Sequence, residues 1–423
     1  MKKFAFLCIF MMLIIPASAQ TVISPALEQQ LMSIEAFVTL RLELPILTPI
    51  IRQFPTREEA IATITANTEA ELSPEDAARE GLFYRALGFI PADFELRQFV
   101  GEFLGDQVAG FYNTEDKTMN TILFSGGELG ESLPFFEQVI YAHEFTHALQ
   151  DQHFDLQTLF ESVGDNADQA SAVQALIEGD ATYMMQAYTY FALQNNWVNL
   201  TDATFANVDT DIPEGTPDIF IKEVNFAYLE GLTFINYIQG LGGWDAVNDA
   251  FANLPQSTEQ ILHPQKYIAG EAPMAIELAD MLPALGDGWE HIQTRTVGEF
   301  YLREYLDMHL RTPVAREAVI GWGGDSMAIY YHADTDSVAW MMGIMWDDFI
   351  FEEQDQFADA YTELLDVSFD QLSDANGICG FSDAMAICFV NTTTTTFIAS
   401  APTVEQAQTM LAVMLEGAFQ TVE

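Results

Sequence analysis

Tyr141-Ala142-His143-Glu144-Phe145-Thr146-His147-Ala148-Leu149-Gln150-Asp151 is the stretch on which the reading of this chain turns. Two histidines four residues apart on an α-helix lie ~40° from each other around the axis, so both rings leave one face. Neutral imidazoles so placed are a pair of ligands for Zn²⁺. Glu144 sits ~100° round from His143, beside such a metal without ligating it, where a general base for water belongs. The segment reads as helical on other grounds as well. Ser132 can N-cap, Pro134 suits the first turn, and Phe135 to Gln150 holds neither glycine nor proline.

Two residues compete for the third ligand position. His153 has the spacing used by metzincins, but on a continuing helix it points ~80° away from His143 and lies ~15 Å further along. The glycine that turns the chain back in those enzymes is Gln150 here. Glu178 is the better candidate. It lies on a second helical pattern that starts after Asp165-Asn166-Ala167-Asp168 and runs to about Leu193. A carboxylate set among Val173, Leu176, Ile177 and Ala181 needs a partner. One zinc held by His143, His147 and Glu178 would keep an open fourth position.

Together these residues resemble the gluzincins, zinc metallopeptidases with the HExxH motif and a downstream helical glutamate. Within them, the stretch His143 to Leu156 followed by Glu178-Gly179-Asp180-Ala181 is similar to a branch of secreted bacterial metallopeptidases. So are Phe226-Ala227-Tyr228-Leu229-Glu230-Gly231 and the stretch Ser257 to Tyr267, and the likeness spans roughly Asp106 to Tyr267. The resemblance implies a zincin-like catalytic core: an active-site helix, a glutamate-bearing second helix and an edge β-hairpin. It also implies an oxyanion donor downstream of the glutamate, for which Tyr228 and His263 are the candidates. The sequence departs from the pattern at Thr182, where thermolysin-type enzymes carry an aspartate that orients a zinc histidine. That role passes to another group, with Asp180 and Asp151 in view.

The expected fold class is α+β, predominantly helical. Lys2-Lys3, an apolar run from Phe4 to Ile15 and Ala17-Ser18-Ala19 read as an export signal over residues 1–19, cleaved near Ala19. The product would be secreted or periplasmic. Residues 20–97 read as helical hairpins, either a pro-segment or a packed subdomain; 98–300 as the catalytic domain; 301–423 as a C-terminal α/β region. Val108–Tyr112 and Met119–Phe124 flank the turn Asn113–Lys117 as a hairpin before the zinc helix. Ala328–Tyr331 and Val338–Met345 read as a second hairpin, Ile387–Ser400 as one strand, and Pro402–Phe419 as a closing helix. Cys379 and Cys388, the pair left after Cys8, are expected to form a disulfide.

The formal net charge of −48 becomes −50 once Lys2 and Lys3 are removed. Such a field repels nucleic acid and anionic membranes. It is compatible with surface Ca²⁺, although no calcium motif is present. No apolar run after residue 19 reaches membrane-spanning length. The expected partner is a peptide or protein substrate, and nothing in the sequence sets the oligomeric state. Three functions stay open at this point: a zinc metallopeptidase, a zinc-stabilised extracellular binding protein, and a zinc amidohydrolase on a non-peptide substrate. Retention of Glu144 favours an enzyme, since a structural site has no need of a base.

Overall fold

Ser24 opens the first helix, α1 (Pro25–Leu42), by accepting from the Leu27 amide at 3.2 Å. Pro25 takes a first-turn position, where its missing N–H costs nothing. Leu27, Leu31, Ile34 and Val38 follow at helical spacing and are wholly buried. The computed structural model describes residues 23–124, 129–198, 212–213, 215–347, 352–374, 377–392 and 394–420. The expected export signal lies outside them. The fold is α+β and predominantly helical.

The chain divides into two units. The first takes the described residues up to Ala77, then Glu95–Gly164 and Ala170–Pro255; the second takes Ala78–Phe94, Asp165–Gln169 and everything from Gln256. This grouping differs from the boundaries expected near residues 97 and 300. The N-terminal helices belong with the HExxH helix because Glu35 accepts from Tyr141 Oη at 2.5 Å and also pairs with Arg52 at 2.7 Å. Residues 256–300 join the C-terminal part because Trp289–Arg295 is a strand of its sheet.

In the first unit, β1 (Ile51–Gln53) leads to α2 (Arg57–Glu71), started by a reciprocal box between Thr56 and Glu59. α3 (Pro74–Ala86) then runs mostly in the second unit, and α4 (Leu96–Gln107) returns to the first. β2 (Gly110–Asn113) and β3 (Thr118–Thr121) form the expected hairpin, with β1 parallel to β3 on its far side. β2 is therefore an edge strand. α5 (Phe135–Phe154) carries the motif and is buried on nearly every side. Pro134 occupies its N-cap position with no side-chain cap, so Ser132 does not fill the role expected of it. Next come α6 (Leu156–Val163), α7 (Ala167–Gln194) and α8 (Asp218–Asn225). A π-helical turn over Phe226–Glu230 runs into α9 (Gly231–Ala252).

Two glycines let α7 and the start of α9 cross with backbones in contact. A Cβ on Gly179 would stand 2.3 Å from the Gly231 carbonyl carbon, and one on Gly231 would stand 2.1 Å from the Ala175 carbonyl oxygen. Neither obstacle is a flexible side chain that could move aside. Gly231→Ala should therefore destabilise the fold by about 1–3 kcal/mol or more, read as a lower midpoint in denaturant unfolding. An unchanged midpoint would show that the crossing is looser than this.

The second unit contains α10 (Thr258–Leu262), α11 (Pro264–Ala269), α12 (Leu282–Leu285), β4 (Trp289–Arg295), α13 (Gly298–Asp307) and α14 (Thr312–Ala318). It continues through β5 (Trp322–His332), β6 (Ser337–Trp346), α15 (Glu352–Ser368), β7 (Gln371–Ser373), β8 (Ile378–Phe381), β9 (Ala386–Asn391), β10 (Thr395–Ala401) and α16 (Val404–Gln420). Its seven strands form an antiparallel sheet in the order β4-β5-β6-β10-β9-β8-β7. The period-two alternation of β10 divides its faces. Phe397, Ala399 and Ala401 pack with Met410, Leu411 and Met414 of α16. On β9, Phe389 meets Tyr361 of α15, ring centroids 5.0 Å apart. The span expected as a single strand, Ile387–Ser400, is instead two. Thr392 and Thr395 bond across a tight turn, and the chain folds back on itself. Cys379 and Cys388 stand opposite each other on β8 and β9 and are joined as a disulfide.

Candidate metal centre

α5 and α7 between them bring His143, His147 and Glu178 to one point. The two Nε2 atoms are 3.0 Å apart, and Glu178 Oε2 is 3.2 Å from His143 Nε2 and 3.5 Å from His147 Nε2. A tetrahedral ion with bonds of about 2.0–2.1 Å needs ligand atoms about 3.4 Å apart. The observed triangle is close to that. All three residues are at least nine-tenths buried, and Glu178 Oε2 has no well-formed hydrogen bond. Glu178 Oε1 is fixed separately by Gln174 Nε2 at 2.8 Å. Two buried imidazole nitrogens and a buried carboxylate oxygen converging on one point suit a divalent cation, and the mixed set suits zinc.

The electrostatics agree with this. Burial alone would raise the Glu178 carboxyl, but the two histidines outweigh it and hold it well below the usual range. Burial would lower His147; the Glu178 carboxylate overrides it and pushes the ring up to about 9. Glu144 is pushed up to about 8, by burial first. Its Oε2 makes no hydrogen bond in the protein. On its other side the carboxyl rests against Gly110 of β2, where a Cβ would stand 2.7 Å from Oε1. Strand β2 can approach so closely only because position 110 lacks a side chain. Tyr112, two residues on, ties the same strand to α5 through Asp151 at 2.8 Å.

His147 is oriented by a residue that sequence reasoning passed over. Gln150 Oε1 lies 2.9 Å from His147 Nδ1, and Gln150 Nε2 donates to Asp180 Oδ2 at 2.7 Å and to the Ile177 carbonyl at 3.1 Å. Of the two residues expected to take the orienting role, Asp180 reaches His147 only through Gln150. Asp151 instead holds Tyr112 and Lys117. The signal was present: Gln150 is three residues after His147, one helical turn along the same face. His153 lies apart from the cluster, its Nε2 on the Pro45 carbonyl at 2.8 Å.

Tyr228 joins the site from the π-helical turn. Its ring lies nearly parallel to that of His143, centroids 5.9 Å apart. Such insertions of one residue into a helix often occur where a side chain must be re-aimed. Burial first, then the carboxylates of Glu178 and Glu144, hold its hydroxyl well above the usual phenol range, so it stays a donor. His263 belongs to the second unit and pairs there with Glu299 at 2.9 Å. An acidic group in that unit, Glu259, Glu271 and Asp347, is the nearest thing to a calcium cluster among the described residues. The Lys266 ammonium already bonds to all three.

No curated protein matches the chain. A family described as a domain of unknown function, DUF8575, matches residues 287–411, a span without any of the three clustered candidate ligands. A crystal structure of a proposed hydrolase with a novel fold from Chloroflexus aurantiacus is similar at 16% identity with a TM-score of 0.37, over 60% of this chain and 92% of that one.

Proposed function

We propose that this protein is an exported zinc metallopeptidase with a gluzincin-type, zincin-like active site, and that His143, His147 and Glu178 hold one zinc ion. The observation that carries the reading is the buried triangle of ligand atoms at 3.0–3.5 Å with an unbonded carboxylate oxygen of Glu144 beside it. Zinc bound there supplies Lewis acidity toward the scissile carbonyl and its attacking water. Glu144 takes the proton from that water and returns it to the leaving amine. The Tyr228 hydroxyl donates to the developing oxyanion. Export agrees with the Cys379–Cys388 disulfide and the leader-like residues 1–19. No described helix is long and apolar enough to cross a membrane.

The substrate is an extended peptide. β2 is an edge strand against Glu144, and its outer backbone groups can pair with a peptide main chain. A net charge of −48 favours neutral or basic segments over acidic ones, most strongly at low salt. The expected activity is endoproteolytic, and profiling against a mixed peptide library, with and without chelator, tests it. Interior cleavage lost on chelation and restored by zinc is the expected result. Cleavage confined to chain ends, or a preference for acidic peptides, would overturn the substrate assignment. Absence of any chelator-sensitive peptide cleavage would overturn the peptidase reading itself.

A further inference from the structure

We infer that Gln150, locked by Ile177 and Asp180, is the positioning residue that sets the tautomer of His147 and so presents its Nε2 lone pair to the metal. The inference rests on the zinc reading for its consequence, but its geometry stands apart from it. A carboxamide has one end that only accepts and one that only donates. Gln150 is fully buried, and its amide has three neighbours: the Ile177 carbonyl, the Asp180 carboxyl and His147 Nδ1. The Ile177 carbonyl can only accept. Whatever the state of Asp180, the end of the amide facing Ile177 must therefore be the NH₂ group. The carbonyl end is left facing Nδ1 at 2.9 Å.

An acceptor at that distance requires a proton on Nδ1. The neutral ring then carries no proton on Nε2, the nitrogen that faces Glu178 and His143. A free imidazole divides its proton between the two nitrogens and must be frozen in one form and one rotamer before it can ligate well. Here the α5 backbone places the ring, Gln150 on the same helix fixes its proton, and α7 holds Gln150 through Ile177 and Asp180. A neutral glutamine does this without adding a charge behind the ligand. Asp180 stands one bond further out, where its hydrogen bond to Nε2 of Gln150 polarises the amide toward the ring.

Gln150→Met removes the acceptor and keeps an unbranched side chain of similar size. Zinc affinity, measured by competition with a chromophoric chelator, is expected to fall by about 10–100-fold, the usual cost of losing an outer-shell partner. Asp180→Asn, which can still offer a carbonyl to the amide, should keep most of the affinity. An affinity for the methionine variant equal to that of the parent would overturn the inference. The unsubstituted chain provides a test independent of folding defects: histidine-¹⁵N spectra of the metal-stripped protein, followed to the pH at which its rings are neutral. A His147 signal with the proton on Nδ1, assigned by its loss in His147→Ala, is the expected outcome, and a proton on Nε2 would overturn the inference. This readout needs neither bound zinc nor turnover. Failure of the peptidase reading would therefore appear separately, as an unsubstituted chain that binds no zinc.

Discussion

Glu144→Gln should keep its zinc and lose hydrolysis by about 10²–10⁴-fold, the usual contribution of a positioned general base. Glutamine nearly matches glutamate in shape, so it can rest against Gly110 as the carboxyl does, 2.7 Å from the Cβ that residue lacks. It offers no basic oxygen to take a proton. Metal content measured beside kcat separates the two roles. A variant that loses zinc would make Glu144 a ligand, and one that turns over normally would exclude it as the base. The substitution should not weaken the fold, because burial already disfavours the ionised form. Chemical denaturation of the variant and the parent would check that.

Glu178→Ala is expected to lower zinc affinity by well over 100-fold, beyond the 10–100-fold that follows loss of an outer-shell partner. The carboxylate is one of the three candidate ligands and carries the only net negative charge among them. It also raises His147. Without it that ring loses the main influence holding it up, and the two imidazoles, 3.0 Å apart, lose the carboxylate that faces them both. His153→Ala is the control, and it should bind zinc as tightly as the parent, since His153 is engaged with the Pro45 carbonyl. The opposite pattern, in which Glu178→Ala retains zinc and His153→Ala loses it, would install His153 as third ligand in place of Glu178.

What could be read from the residues alone was local or periodic. The four-residue spacing of His143 and His147 and the hairpin before α5 depend on interactions within a few residues. Glu178 was legible because an acidic residue in an apolar helical run requires a partner wherever the chain folds. The disulfide pairing followed from there being two cysteines outside the leader-like residues 1–19. Other features depend on where distant segments meet. The seven-stranded sheet went unread as a sheet because β4, β7 and β8 are short or weakly alternating, and only pairing with neighbours makes them strands. The split of Ile387–Ser400 into β9 and β10 hinges on a turn of polar threonines that also suit a strand. Gly110, Gly179 and Gly231 look like ordinary flexible positions until the backbone or side chain crossing each one is known. The site shows the same division. His143, Glu144, His147 and Glu178 could be picked out as candidates by residue type and spacing. The placement of Gln150 against His147, and of the Tyr228 ring beside His143, came from tertiary structure, because a carboxamide or a phenol acquires direction only from the partners that the fold places around it.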